Sequence, residues 1–241
     1  MRGVTCTVRR PGRLGGLVAL LVVGAGCGVR APQPQPPPGA PNPRTTVRAV
    51  AADVQLACLR AADIDAWERT LRTDPAYRNA TTDALARGAA WLPGMRARFA
   101  AAGMPDALAL LPILESGFRP LALEPTGRAR GLWQFEAATA RDLGLVVSPA
   151  RDDRVHPERS TEAAIRLLAR HWSHFGDWPL AIAAYNAGGQ RVDRAVAQHP
   201  GATVWELLDR GFLPQTTRDF VARFLATVRF VDGARSCRVP A

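Results

Sequence analysis

From Asp106 to Glu115 the chain reads DALALLPILE, apolar at almost every position between its two acids. A surface helix keeps one polar face for water; this segment has none, so it is expected to form a buried helix. Pro112 sits within it and is expected to kink its last turn. Other elements must then surround it. With 241 residues, 47% hydrophobic and 22% charged, the chain has the material for such a core, and wholesale disorder is excluded.

Those surrounding elements also read as helices. Asp83 to Ala102 gives two short helical pieces broken at Pro93, stopped by Gly103 and Pro105. Thr139 to Leu143 is a short helix ending at Gly144. Ser160 is the expected N-cap of a helix in which Ala164, Ile165, Leu168, Ala169 and Trp172 recur at helical spacing up to Gly176. Asp177 is placed to cap Trp178 to Asn186, which Gly188 and Gly189 end. Val204 to Asp209 and Thr217 to Asp232 close the series, the latter with Phe220, Val221, Phe224, Leu225 and Val228 on one face. No strand pair joined by a two-residue turn is found, so the fold class is all-α.

The chain carries 31 basic and 21 acidic side chains, and every basic one is arginine. Seven of these arginines lie before residue 53, where there is no acid, leaving 24 arginines against 21 acids in the remainder. The excess charge therefore belongs to the N-terminal appendages. A nucleic-acid partner, which needs a basic face on the folded part, is not expected.

Arg2, Arg9, Arg10 and Arg13 precede a small and apolar run from Leu14 to Gly26, the pattern of a secretory signal over residues 1–26. The run is too short to span a bilayer. It ends in Gly24-Ala25-Gly26-Cys27, which resembles a bacterial lipoprotein cleavage box with Cys27 as the acylated residue, although Gly24 departs from the usual branched residue. Gly28, where an aspartate is absent, resembles the sorting position of lipoproteins sent to the outer membrane. An ordinary secretion signal or an uncleaved anchor is the alternative. Residues 27–52 follow as a tether that includes APQPQPPPGAPNP, seven of whose 13 residues are proline. Polyproline II at about 3.1 Å per residue would extend that stretch to roughly 40 Å. A cell-envelope location on the periplasmic side, anchored to the outer membrane by lipid, follows from these features.

Of four cysteines, Cys6 falls in the signal and Cys27 in the box. Cys58 and Cys237 remain near the two ends of the folded part, a disulfide candidate in an exported protein, with two buried thiols as the alternative. No CxxC or Cys/His spacing suggests a metal site, and neither metal nor cofactor is expected.

Glu115 is the candidate catalytic residue, although composition alone favours the plainer alternative that it simply ends the helix and faces solvent. A carboxylate ending a buried apolar helix is opposed by desolvation and by the negative end of the helix dipole. Both raise its pKa, as a general acid near neutral pH requires.

Glu115-Ser116-Gly117-Phe118-Arg119-Pro120, then Gly131-Leu132-Trp133-Gln134, then Ala184-Tyr185-Asn186-Ala187-Gly188, resemble in order and spacing the signature of the family 1 lytic transglycosylases, the SLT-domain enzymes that cut bacterial peptidoglycan. The resemblance runs from roughly Trp67 to Asp232. It implies a lysozyme-like domain over residues 105–241, preceded by an N-terminal helical extension over 53–104, and peptidoglycan strands as substrate. LysM carbohydrate-binding repeats, common among relatives, are not expected in residues 233–241. It further implies that Glu115 protonates the bond between N-acetylmuramic acid and N-acetylglucosamine and then, as a base, activates the C6 hydroxyl of the muramic acid. A 1,6-anhydro end results, with no water consumed. Gln134 and Tyr185 carry over as cleft residues, Ser116 and Asn186 as residues that order the backbone around the site, and Trp133 either stacks on a sugar or packs in the core.

There are departures from the family pattern. The spacing from Glu115 to Gln134 is one residue longer, and the family serine has no clear counterpart, Glu124 or Thr126 being nearest. His156 replaces an acid, Gln190 a glycine, and Phe220 a tyrosine. Two rival readings remain open: a lysozyme-like hydrolase using Glu124 to activate water, and a peptidoglycan binder that does not cut.

Overall fold

The computed structural model describes residues 56–233, and Cys27, Cys237, the signal and the tether lie outside them. After a short helical stretch at residues 56–58 come three helices: α1 (Ala62–Thr73), which is amphipathic, α2 (Pro75–Gly88) and α3 (Leu92–Ala101). Asp74 starts α2, its side chain accepting from the Ala76 amide at 2.8 Å while Pro75 occupies the first turn. Pro93 likewise lies in the first turn of α3, so the break expected at this proline falls just before it, at residues 89–91.

The apolar run 106–115 is buried as expected, but not as one helix. A 3-10 turn spans Asp106–Leu110 and a single α-helical turn, α4, spans Leu111–Glu115. Pro112 stands at the start of α4, where its missing N–H costs nothing, rather than kinking the end. Leu108, Ala109, Leu110 and Leu111 have no exposed surface. Next come the hairpin strands β1 (Ala129–Arg130) and β2 (Phe135–Glu136), antiparallel with Arg130 opposite Phe135. This small sheet went unread because its strands are two residues long and its loop, Gly131 to Gln134, is longer than the tight turns that signal hairpins.

Helix α5 (Ala137–Asp142) leads to a 3-10 turn at Asp153–Val155 and then to α6 (Pro157–Phe175). The start of α6 corrects the expected cap: His156 is the N-cap residue, and Ser160 lies inside, buried, its hydroxyl donating to the His156 carbonyl at 2.7 Å. Gly176 ends α6 in the left-handed conformation. Asp177 caps α7 (Trp178–Ala187) through the Leu180 amide. After Gly188 the chain enters α8 (Gly189–Gln198), a helix that the double glycine hid in the sequence. α9 (Val204–Asp209) carries a reciprocal cap between Thr203 and Glu206, and α10 (Gln215–Asp232) closes the described chain.

α10 packs along α1, α6 against α7, and α3 against the 106–110 turn. Arg229 of α10 ties the ends together. It is buried and donates to Asp65 at 2.7 Å, to Glu68 at 3.2 Å and to the carbonyls of Ala57 and Leu59. None of the described helices is long and apolar enough to cross a membrane.

Candidate active site

Glu115 ends α4 where the chain turns away from the core, and it lines a cleft of about 420 Å³ with Gln134, Phe135, Glu136, Tyr185 and Asn186. Its side chain is only partly open to solvent and is otherwise enclosed by protein, which pushes its pKa up to about 8. Burial is the cause. The helix dipole invoked from sequence contributes little, because α4 has only five residues and so aligns few peptide dipoles.

The turn after Glu115 is built to hold it. Ser116 is buried, its hydroxyl donating to the Leu132 carbonyl at 3.0 Å and accepting from the Arg119 amide at 3.3 Å. Ser116 therefore links the turn to the 131–134 loop. Phe118 is fully buried at φ 55° and Gln134 sits at φ 48°, two non-glycine residues in the left-handed region on the two segments that meet at the cleft. Such strain persists only where the surroundings over-determine it, and it gathers at functional sites.

Tyr185, on α7, donates its hydroxyl to the Trp133 carbonyl at 2.6 Å. Burial first, and the Glu115 charge second, hold its pKa well above the ordinary tyrosine value, so it stays a neutral donor beside the acid. Phe220 of α10 stacks on it with ring centres 6.5 Å apart. Gln134 donates its side-chain amide to the Gly131 carbonyl at 2.7 Å, which fixes its orientation at the cleft wall.

Trp133 departs from the sugar-stacking alternative. The residue is 1% exposed, its ring packs against Phe99, and its indole N–H donates to Thr161 at 3.1 Å. Asn186 is exposed at the cleft and its side-chain oxygen accepts from Thr217 at 2.9 Å, tying α7 to the start of α10.

The floor of the hairpin rests on Arg154, buried and bound to Asp152 at 2.8 Å and to the carbonyls of Arg128 and Phe135 at 3.0 and 3.1 Å. Asp153, gripped by Arg151 and Arg159 and by the Val146 amide, is held far below the ordinary carboxylate range. These groups shape the loop from behind, Arg154 reaching the cleft lining only through the Phe135 carbonyl. At Gly131 (φ 87°) a β-carbon would fall 1.9 Å from the Arg154 carbonyl oxygen, so the loop needs glycine there.

Residues 96–208 match the transglycosylase SLT domain family. Among related proteins, membrane-bound lytic murein transglycosylase D of Escherichia coli (strain K12) is 39% identical over 128 residues, 51% of this chain and 27% of that protein. The same figures hold for the protein of Escherichia coli O6:H1. Peptidoglycan transglycosylase gp16 of Escherichia phage T7 is 44% identical over 80 residues, 32% of this chain and 6% of that protein. The chain spans about a quarter of the length of the murein transglycosylases it matches.

Within the matched region the structure brings Glu115, Gln134, Tyr185 and Asn186 to one cleft. Glu124, the carboxylate of the hydrolase alternative, is not part of the cleft lining. It sits on an outer loop where Thr126 donates to it through hydroxyl and amide, and these bonds lower its pKa. The carboxylate that does line the cleft besides Glu115 is Glu136, which the sequence reading missed although it stands two residues after Gln134. The cleft adjoins a groove of about 530 Å³, which shares Thr139, Leu167, Tyr185 and Gly188 with it. Cys58 is disulfide-bonded, while Cys237, its expected partner, falls outside the described residues. Among the described residues no group of three or more His, Cys, Asp or Glu is gathered to hold a metal ion.

Proposed function

We propose that the protein is a peptidoglycan lytic transglycosylase that cleaves the β-1,4 bond between N-acetylmuramic acid and N-acetylglucosamine without water. The observation that carries this reading is one carboxyl group, Glu115, raised to a pKa of about 8 by burial in a cleft within the region that matches the SLT family. At neutral pH it holds its proton and can protonate the bridging oxygen. The substrate's own N-acetyl oxygen stabilises the developing cation, the substrate-assisted route that dispenses with a nucleophilic carboxylate. Once ionised, Glu115 takes the proton of the C6 hydroxyl, whose oxygen bonds to C1 and gives the 1,6-anhydro end. Tyr185, neutral and tethered to the Trp133 carbonyl, and Gln134, oriented by Gly131, are placed to position the sugar beside the acid.

Glu136 supports a second reading, hydrolysis with this carboxylate activating a water. Digestion of isolated murein by the full chain, followed by mass spectrometry, separates the two. Transglycosylation yields muropeptides lighter by one water and lacking a reducing end. Reducing-end products that disappear in Glu136→Gln would instead establish the hydrolase.

The N-terminal features complete the proposal. Residues 1–26 direct export, lipid on Cys27 anchors the protein to the outer membrane from its periplasmic side, and residues 27–52 hold the catalytic body away from that surface. A Cys58–Cys237 disulfide closes the folded part. Changing Cys27 to Ala should move the protein from the membrane to the soluble fraction with its activity retained; continued membrane association contradicts the lipid anchor.

A further inference from the structure

Arg87 on α2, Arg119 after the Glu115 turn and Arg223 on α10 line a second pocket of about 310 Å³, separate from the cleft, with Asp83 as the only acid in its lining. The lining therefore carries three positive charges and one negative, a net of +2. Among the described residues none of the three arginines forms an ion pair with a carboxylate, whereas the partly or fully buried Arg96, Arg154, Arg218 and Arg229 each have one.

Backbone carbonyls aim two of these side chains. Arg87 donates through Nε to the Gly117 carbonyl at 2.7 Å, and Arg119 through Nη1 to the Ser116 carbonyl at 3.3 Å. Their guanidinium groups converge on the α-carbon of Gly117: a β-carbon there would lie 2.8 Å from Arg119 Nη1 and 3.0 Å from Arg87 Nη2. Like charges so close repel unless an anion lies between them. Arg223 adds a second, independent sign. Its guanidinium packs 5.7 Å from the Trp67 ring centre and 5.6 Å from that of Tyr77, and its Nε is buried with no hydrogen-bond partner among the described residues. Burial pushes its pKa below the ordinary arginine value, the direction expected of a cation held without its counter-ion.

We propose that this pocket is a binding site for a phosphate-class oxyanion, either a small free phosphate or the phosphate of a lipid headgroup, held by Arg87, Arg119 and Arg223. A carboxylate is satisfied by a single planar guanidinium fork, whereas a phosphate presents oxygens in several directions and suits donors arriving from three separate elements. The volume leaves room for the group to which the phosphate is attached. Because backbone carbonyls already fix the arms of Arg87 and Arg119, little side-chain freedom is lost on binding.

Isothermal titration of inorganic phosphate into the full chain, in a chloride buffer of low ionic strength, tests the site. One saturable site per chain is expected, with acetate at least about tenfold weaker. Arg119→Gln, an exposed position, should weaken phosphate binding about tenfold or more while the melting temperature measured without phosphate is unchanged. Asp83→Asn should tighten binding, since it removes the opposing charge, and it keeps the test sound if Arg119→Gln proves unstable. Absence of saturable binding, or an affinity that neither variant alters, overturns the proposal. Vesicles of phosphatidylglycerol in phosphatidylcholine distinguish the source: competition with free phosphate identifies a lipid headgroup, and vesicle binding no greater than to phosphatidylcholine alone identifies a small free phosphate. This site stands apart from the cleft, so murein cleavage can fail while phosphate binding holds, and the reverse.

Discussion

A glutamic acid with a pKa near 8 is costly to the fold, and the cost has a sign. The unfolded chain ionises Glu115 near its ordinary value of 4.5, while the folded chain keeps the proton until about pH 8. Below the lower value both states are protonated and nothing is lost. Between the two values the unfolded state gains by ionising, so stability falls as pH rises, by a total on the order of a few kcal/mol once pH exceeds the upper value. Glu115→Gln should therefore abolish cleavage and also raise the melting temperature at about pH 8, with no gain at about pH 4. Scanning calorimetry at the two pH values checks this, and equal effects at both would contradict it. Activity of the wild-type protein should decline as pH rises through about 8, where the acid loses its proton. Tyr185→Phe, which removes the bond to the Trp133 carbonyl but keeps the rings stacked, should reduce cleavage less than Glu115→Gln does. Trp133→Ala should cost about 3–5 kcal/mol of stability, the loss typical of a buried tryptophan; a sugar-stacking residue would instead raise KM at unchanged stability. Glu115 was legible because an apolar run leads straight to it. Trp133 was not decidable from sequence, since tryptophan serves cores and sugar platforms alike and only its burial tells them apart.

The elements around the site were readable to unequal degrees. α7 came through with its cap and stop, and α10 with its apolar face and its end at Asp232, because cap, period and stop residues carry those signals. The 106–110 turn did not, since an apolar run carries no mark that separates a 3-10 turn from an α-helix, and Ser160 misled because its hydroxyl bonds back to His156 from within α6 instead of capping it. The hairpin is held less by its two-residue strands than by Arg154 beneath it, which reaches carbonyls on both sides of the loop. Gly131→Ala should accordingly cost about 3 kcal/mol, combining a left-handed φ with a β-carbon driven into the Arg154 carbonyl. Thermal denaturation reads this directly, and cleavage should fall with it because Gln134 is oriented by the Gly131 carbonyl. A melting temperature equal to wild type would show that the loop relaxes without cost.

Across the whole molecule, what sequence could not supply was the long-range pairing. Arg229 meets Asp65 and Glu68 across more than 160 residues, and no periodicity announces that contact. The helices before residue 105 consequently support the cleft: α1 packs along α10, and α10 supplies Phe220 behind Tyr185. Removing the arginine head with Arg229→Ala leaves an acid and two carbonyls without their donor and should cost about 3 kcal/mol, seen as a lower denaturant midpoint. All of this packing converges on one consequence, a carboxyl group that stays protonated at neutral pH. Carbon-13 NMR of the labelled glutamate carboxyl carbons, with Glu115→Gln used to assign the resonance, measures that property most directly. A midpoint near pH 8 is the predicted result, and a midpoint close to 4.5 would contradict it.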